Sequence, residues 1–109
     1  MISRAWHAPA MIALALACPL AAHAEEHVVG QKNKSFSTKK LVLKVGDSVK
    51  FVNEDSFAHN VFSLSAPKSF DTGSFGNGAT KSVVFDKPGK VEVECAVHPD
   101  MTMLIEVKP

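Results

Sequence analysis

Between residues 25 and 109 the chain alternates apolar and polar side chains in short runs, and turn-forming residues separate the runs. No stretch carries an apolar stripe at helical spacing. The clearest run is Val91-Glu92-Val93-Glu94-Cys95, in which every second residue is apolar. A strand there turns Val91, Val93 and Cys95 inward and both glutamates toward solvent. Met103-Leu-Ile-Glu-Val107 alternates in the same way, with Met103, Ile105 and Val107 on one face. Earlier runs are Leu41–Val45, closed by Gly46-Asp47, and Ser48–Asn53, closed by Glu54-Asp55-Ser56. His59–Ser63 and Thr80–Phe85 follow, the latter stopped by Lys87-Pro88-Gly89. His27–Gly30, continued by Ser35–Ser37, begins the series. Short strands at this turn-punctuated spacing predict an all-β fold, a Greek-key sandwich or barrel of about seven to eight strands.

The first 24 residues follow a different rule. Arg4 and His7 precede an apolar run from Ala8 to Leu20, and Ala22-His23-Ala24 has the small-x-small pattern of a cleavage site. A permanent membrane helix needs roughly 20 apolar residues, more than this run supplies. Residues 1–24 are therefore expected to be a cleaved signal peptide, residues 25–109 the functional domain, and the periplasm its location. Cys18 does not make a lipoprotein signal, because Ala15 stands where Leu is expected three residues before it.

Cleavage changes the composition. Arg4 leaves the 12 Lys and Arg while all 11 Asp and Glu remain, so the domain is neutral with histidine uncharged. Nothing in that balance favours nucleic acid or an anionic membrane as partner. Trp6 and Cys18 also leave, and Cys95 is then the one cysteine, so no intramolecular disulfide can staple the domain. A lone thiol in an oxidising compartment calls for an occupant. A metal satisfies it and stabilises the native state by binding that state alone.

The candidate chemistry gathers near the C-terminus, in Cys95-Ala-Val-His98-Pro-Asp-Met101. Singly, each residue has a plain structural reading: a buried thiol, a turn histidine, a core methionine. Together, Cys95 and His98 flank a strand end, Met101 can fold back over the same point, and His59 can reach it from a non-adjacent strand. Two imidazoles, a thiolate and a thioether are the ligands of a blue-copper electron-transfer centre. Structural zinc prefers four strong ligands, and the domain has no second Cys. A Cys–His nucleophile needs an orienting Asn or Asp and an exposed thiolate, and no such signature surrounds Cys95. Glu92 and Glu94 read as solvated, His27 as an exposed side chain near the new terminus, and the glycine-rich Asp71–Gly78 as a surface turn rather than a phosphate cradle.

These residues resemble the cupredoxin (type 1 blue copper) family. The likeness rests on Asp55-Ser-Phe-Ala-His-Asn-Val-Phe62 and Cys-Ala-Val-His-Pro-Asp-Met101, and on Val45–Asn53, Phe70–Gly73 and Phe85–Gly89. The Cys-x2-His-x2-Met spacing resembles the short ligand loop of the amicyanin type. The resemblance implies one copper ion held by His59, Cys95, His98 and Met101, with Met103 as the rival axial thioether. It also implies that Asn60 supports the site by tying the two ligand-bearing segments together. Ala96 stands where many members carry Ser or Thr, so the hydroxyl that would meet Asn60 is absent. The implied function is a periplasmic one-electron carrier that is not an enzyme and docks transiently on redox protein partners through His98, Val97 and Pro99. The alternative is a copper carrier or buffer using the same site.

Overall fold

The computed structural model describes residues 23–109, so the expected signal peptide lies outside the described residues except for His23 and Ala24. Among the described residues nine strands form, one more than the upper expectation, in order: β1 (Glu26–Lys32), β2 (Ser35–Phe36), β3 (Lys40–Lys44), β4 (Ser48–Asn53), β5 (Phe62–Ser63), β6 (Phe70–Asp71), β7 (Thr80–Val84), β8 (Gly89–Cys95) and β9 (His98–Lys108). One sheet has the order β2-β1-β4-β7 and the other β3-β9-β8-β5-β6. Because the chain switches sheets repeatedly, β1 and β4 meet in parallel, as do β3 and β9, while the remaining ladders are antiparallel. The described residues thus form the expected all-β sandwich.

The binary pattern accounts for the packing. β4 alternates strictly, burying Val49, Phe51 and Asn53. β8 buries Val91, Val93 and Cys95, and β9 buries Met101, Met103, Ile105 and Val107. These faces meet between the sheets, where Phe36 packs edge-on to Phe51 and Phe70 to Phe85. Each fully buried apolar side chain contributes about 1.5–3 kcal/mol relative to exposure.

Two regions depart from the sequence pattern, and both bear on the site. The run His59–Ser63 yields only the two-residue β5, and His59 instead forms an isolated bridge with Phe75. The reason is local competition: Val61 gives its N–H to the Thr72 hydroxyl rather than to a ladder, and Asn60 reaches across to residue 96. His98, expected on a loop, is the first residue of β9 and pairs directly with Cys95. Register is Glu94↔Thr102 and then Cys95↔His98, so Pro99, Asp100 and Met101 have no partner on β8. Proline has no N–H to donate to a ladder, which places the irregularity next to it.

Candidate metal centre

Cys95 ends β8 with its side chain pointing inward, 1% exposed. The Ala96-Val97 turn brings His98 back opposite it, leaving His98 Nδ1 3.8 Å from Cys95 Sγ. His59 arrives from the segment that leads into β5, the strand beside β8, fully buried, with its Nδ1 3.7 Å from the same sulfur. The two imidazole rings lie 5.0 Å apart. A metal about 2.3 Å from sulfur and about 2.0 Å from each nitrogen separates N from S by about 3.6–3.8 Å, so the observed spacings already fit an ion between the three atoms.

The His59 orientation is imposed by a carboxylate. His59 Nε2 lies 2.7 Å from Asp55 Oδ2. An ionised carboxylate only accepts, so the proton sits on Nε2 and the Nδ1 lone pair faces Cys95. Asp55 in turn accepts the backbone N–H groups of Asn33 at 2.8 Å and Lys34 at 3.2 Å. Burial alone would raise the Asp55 pKa, but the bonds from His59, Asn33 and Lys34 outweigh it and hold the carboxyl below its ordinary value. The His98 pKa is lowered, first by burial and then by the neighbouring His59 and the Lys34 cation, with Asp55 opposing. A neutral imidazole is the form that ligates metal.

Other buried groups fix the loops. Asn53, at the end of β4, donates from Nδ2 to the carbonyls of Phe57 and Phe75, both at 2.9 Å, and accepts the Asp55 N–H at 2.8 Å. Asn77 donates to the Asp55 carbonyl at 2.9 Å. The glycine-rich segment read as a plain surface turn therefore supports His59 through Phe75 and Asp55 through Asn77. Phe57 stacks edge-on against both His59 and His98, 5.2 and 5.3 Å between centroids, with Lys34 5.9 Å over its outer side. Sequence reasoning passed over Asp55, Asn53, Phe57 and Lys34. Asp55, Phe57 and Asn53 lie inside the resembling segments, which is the signal the sequence offers for them, while Lys34 has none.

Asn60 Oδ1 accepts the backbone N–H of Ala96 at 2.7 Å. The tie between the ligand-bearing segments thus runs through the main chain and needs no hydroxyl at position 96. Met101 is 1% exposed and lines a cavity of about 230 Å³ together with His98, Val97 and Lys34. Met103 pairs opposite Val93, a full side-chain repeat further from Cys95, and belongs to the core. His27, expected in solvent, is instead held by Asp47 at 3.0 Å.

The sequence profile described as copper binding proteins, plastocyanin/azurin family, matches residues 23–108. The chain belongs to this family. Among individual proteins it is similar to a pseudoazurin from Methylorubrum extorquens, 37% identical over 112 residues, covering 95% of this chain and 75% of that one. A reduced tryptophan-to-tyrosine variant of amicyanin superimposes with a TM-score of 0.71 at 25% identity, covering 83% of this chain and 87% of that chain. A copper-containing nitrite reductase from Thermus scotoductus gives a TM-score of 0.72 at 32% identity, but this chain spans only 22% of that chain. As a member of this copper-binding family, the chain takes one copper ion as its cofactor.

Proposed function

We propose that this protein is a periplasmic type 1 copper protein that carries single electrons between redox partners. The copper is held by His59 Nδ1, Cys95 Sγ, His98 Nδ1 and the Met101 thioether, with Asn60 fastening the two ligand segments. One observation carries the reading: two imidazole Nδ1 atoms from separate parts of the chain aim at one buried thiol, at 3.7 and 3.8 Å. When bound there, copper supplies Cu(I)/Cu(II) chemistry, which soft sulfur and imidazole together accommodate. The chain's own part is rigidity. Asp55 locks His59, the Ala96-Val97 turn locks His98 against Cys95, and the Asn60–Ala96 bond locks the two halves together, so the ligands move little between states.

His98 is the half-buried ligand, at the edge where Phe57 and Val97 are exposed. A small apolar rim around one imidazole suits brief docking on a donor and then an acceptor, and no catalytic turnover is assigned. A copper buffer at the same position is disfavoured, because the fully buried His59 and Cys95 oppose rapid metal exchange. Residues 1–24 are assigned as the export signal, which mass measurement of the exported protein checks.

The deciding experiment is optical. Copper-loaded protein is expected to show an intense sulfur-to-copper absorption that disappears and returns on reduction and oxidation. Cys95→Ala abolishes it and Met101→Ala perturbs it more than Met103→Ala. Colour that survives loss of the thiol, or protein that never colours, overturns the reading.

A further inference from the structure

At the start of β4, away from the copper ligands, a second group of donor atoms converges. His27 Nε2 lies 3.0 Å from Asp47 Oδ2 and 4.0 Å from Glu25 Oε2. All three ligand atoms lie within 4.8 Å of one another. β4 rises about 3.3 Å per residue, so its six residues separate this cluster from the His59 end by about 20 Å.

The cluster is built rather than incidental. Asp47 follows a turn in which the Asp47 N–H bonds the Lys44 carbonyl at 2.9 Å with Gly46 at φ 98, the signature of a type II turn. Its side chain is only 5% exposed, and the carboxylate accepts the N–H groups of Glu25 at 2.9 Å and Lys44 at 3.0 Å. Those bonds and His27 hold its pKa at about 2, so the charge is fixed. The three donors open onto a cavity of about 340 Å³ between β1, the end of β3 and the C-terminus of β9. Lys44 and Lys108 also line that cavity, and the Lys108 charge is matched by Glu106 at 2.8 Å.

We propose that Glu25, His27 and Asp47 form a second metal site, for a divalent ion of the zinc class, independent of the copper. Ligand atoms about 2.0–2.2 Å from a tetrahedral zinc are about 3.4 Å apart, between the 3.0 and 4.0 Å measured here. The ion replaces the proton shared by His27 and Asp47, the exposed Glu25 side chain swings in as third ligand, and water takes the open fourth position. Two carboxylates and a neutral imidazole balance a doubly charged ion. On the processing proposed above, the Glu25 nitrogen becomes an α-amino group that keeps its 2.9 Å bond to the Asp47 carboxylate, so the three side chains remain the ligands. The bound ion ties the leading end of β1 to the β3–β4 turn.

Copper-loaded protein recovered from the periplasm is titrated with Zn(II) by calorimetry while the blue absorption is followed. One additional zinc per chain is expected, with the blue band unchanged and the thermal midpoint raised. His27→Ala lowers zinc affinity at least tenfold and leaves the blue band in place, which also reports that the variant folds. Glu25→Gln, on a solvent-facing side chain, lowers it several-fold. No uptake at millimolar zinc, uptake undiminished in His27→Ala, or bleaching of the blue band in step with zinc uptake each overturns the proposal. Absence of a blue band before any zinc is added speaks against the copper reading instead.

Discussion

Asp55 satisfies two needs at once, and its removal exposes both. Its carboxylate fixes the His59 tautomer and closes the backbone of the β1–β2 turn. Asp55→Ala leaves two backbone N–H groups and the His59 Nε2–H without partners in a largely buried setting. Each buried unsatisfied group costs about 1–3 kcal/mol, and losing a carboxylate behind a ligating histidine typically weakens metal binding about 10–100-fold. Copper competition and denaturant unfolding of Asp55→Ala are therefore expected to fall together. In the sequence the residue reads as one of three polar residues ending a strand and as the first residue of a segment that resembles the family. Its role depends on Asn33 and Lys34, 22 and 21 residues away, and no local pattern encodes such a pairing. The convergence of Cys95 and His98 was legible because their chemistry is rare and their spacing short, and that of His59, 36 residues away, because few histidines remained to join them. The main-chain bond at Ala96 was not, because a backbone N–H leaves no mark on a sequence.

At the scale of elements, the β1–β2 hairpin closes through Asn33 and Lys34, with φ of 53 and 59. A two-residue loop with both central residues at positive φ is the type I′ arrangement, for which Asn-Gly is preferred. Lysine at the second position carries backbone strain, and the Asp55 carboxylate bonding both N–H groups holds it there. Lys34→Gly relieves that strain and is expected to stabilise the fold by about 1 kcal/mol in denaturant unfolding. The same change removes the cation over Phe57. The strands themselves followed from alternation wherever one face is buried, as in β4, β8 and β9. The pattern overextended β5, because side-chain hydrogen bonds from Asn60 and Thr72 outcompeted a ladder that polarity alone cannot distinguish from them. It also set His98 outside β9, because a Pro at the next position reads as a strand breaker when it is here the beginning of a bulge.

For the whole molecule, acid stability depends on Asp47 together with Asp55, whose carboxyl is also held below its ordinary value. The Asp47 pKa lies at about 2 when folded, against 3.8 for the ordinary value. A depressed carboxyl pKa contributes stability that is complete above the unfolded value and lost as pH falls through the folded one. The window is thus about pH 4 to 2, and the contribution is about 1–2 kcal/mol after allowing for solvent at its edge. Asp47→Asn is expected to flatten the fall in thermal midpoint across that window while lowering the midpoint at neutral pH. Sandwich class was legible from strand spacing and turn residues. The order of strands within each sheet was not, since parallel β1–β4 and β3–β9 pairing joins residues far apart in the chain.

β9 lies between β8 and β3 and starts at His98, so three of the proposed ligands sit on the last hairpin of the chain. The fourth waits 36 residues upstream of Cys95. The proposed site therefore exists only when the β8–β9 hairpin has packed beside the segment that carries His59. Copper binding is thereby tied to completed folding: the His59 segment alone, or the hairpin alone, holds too few of the ligands to keep the ion.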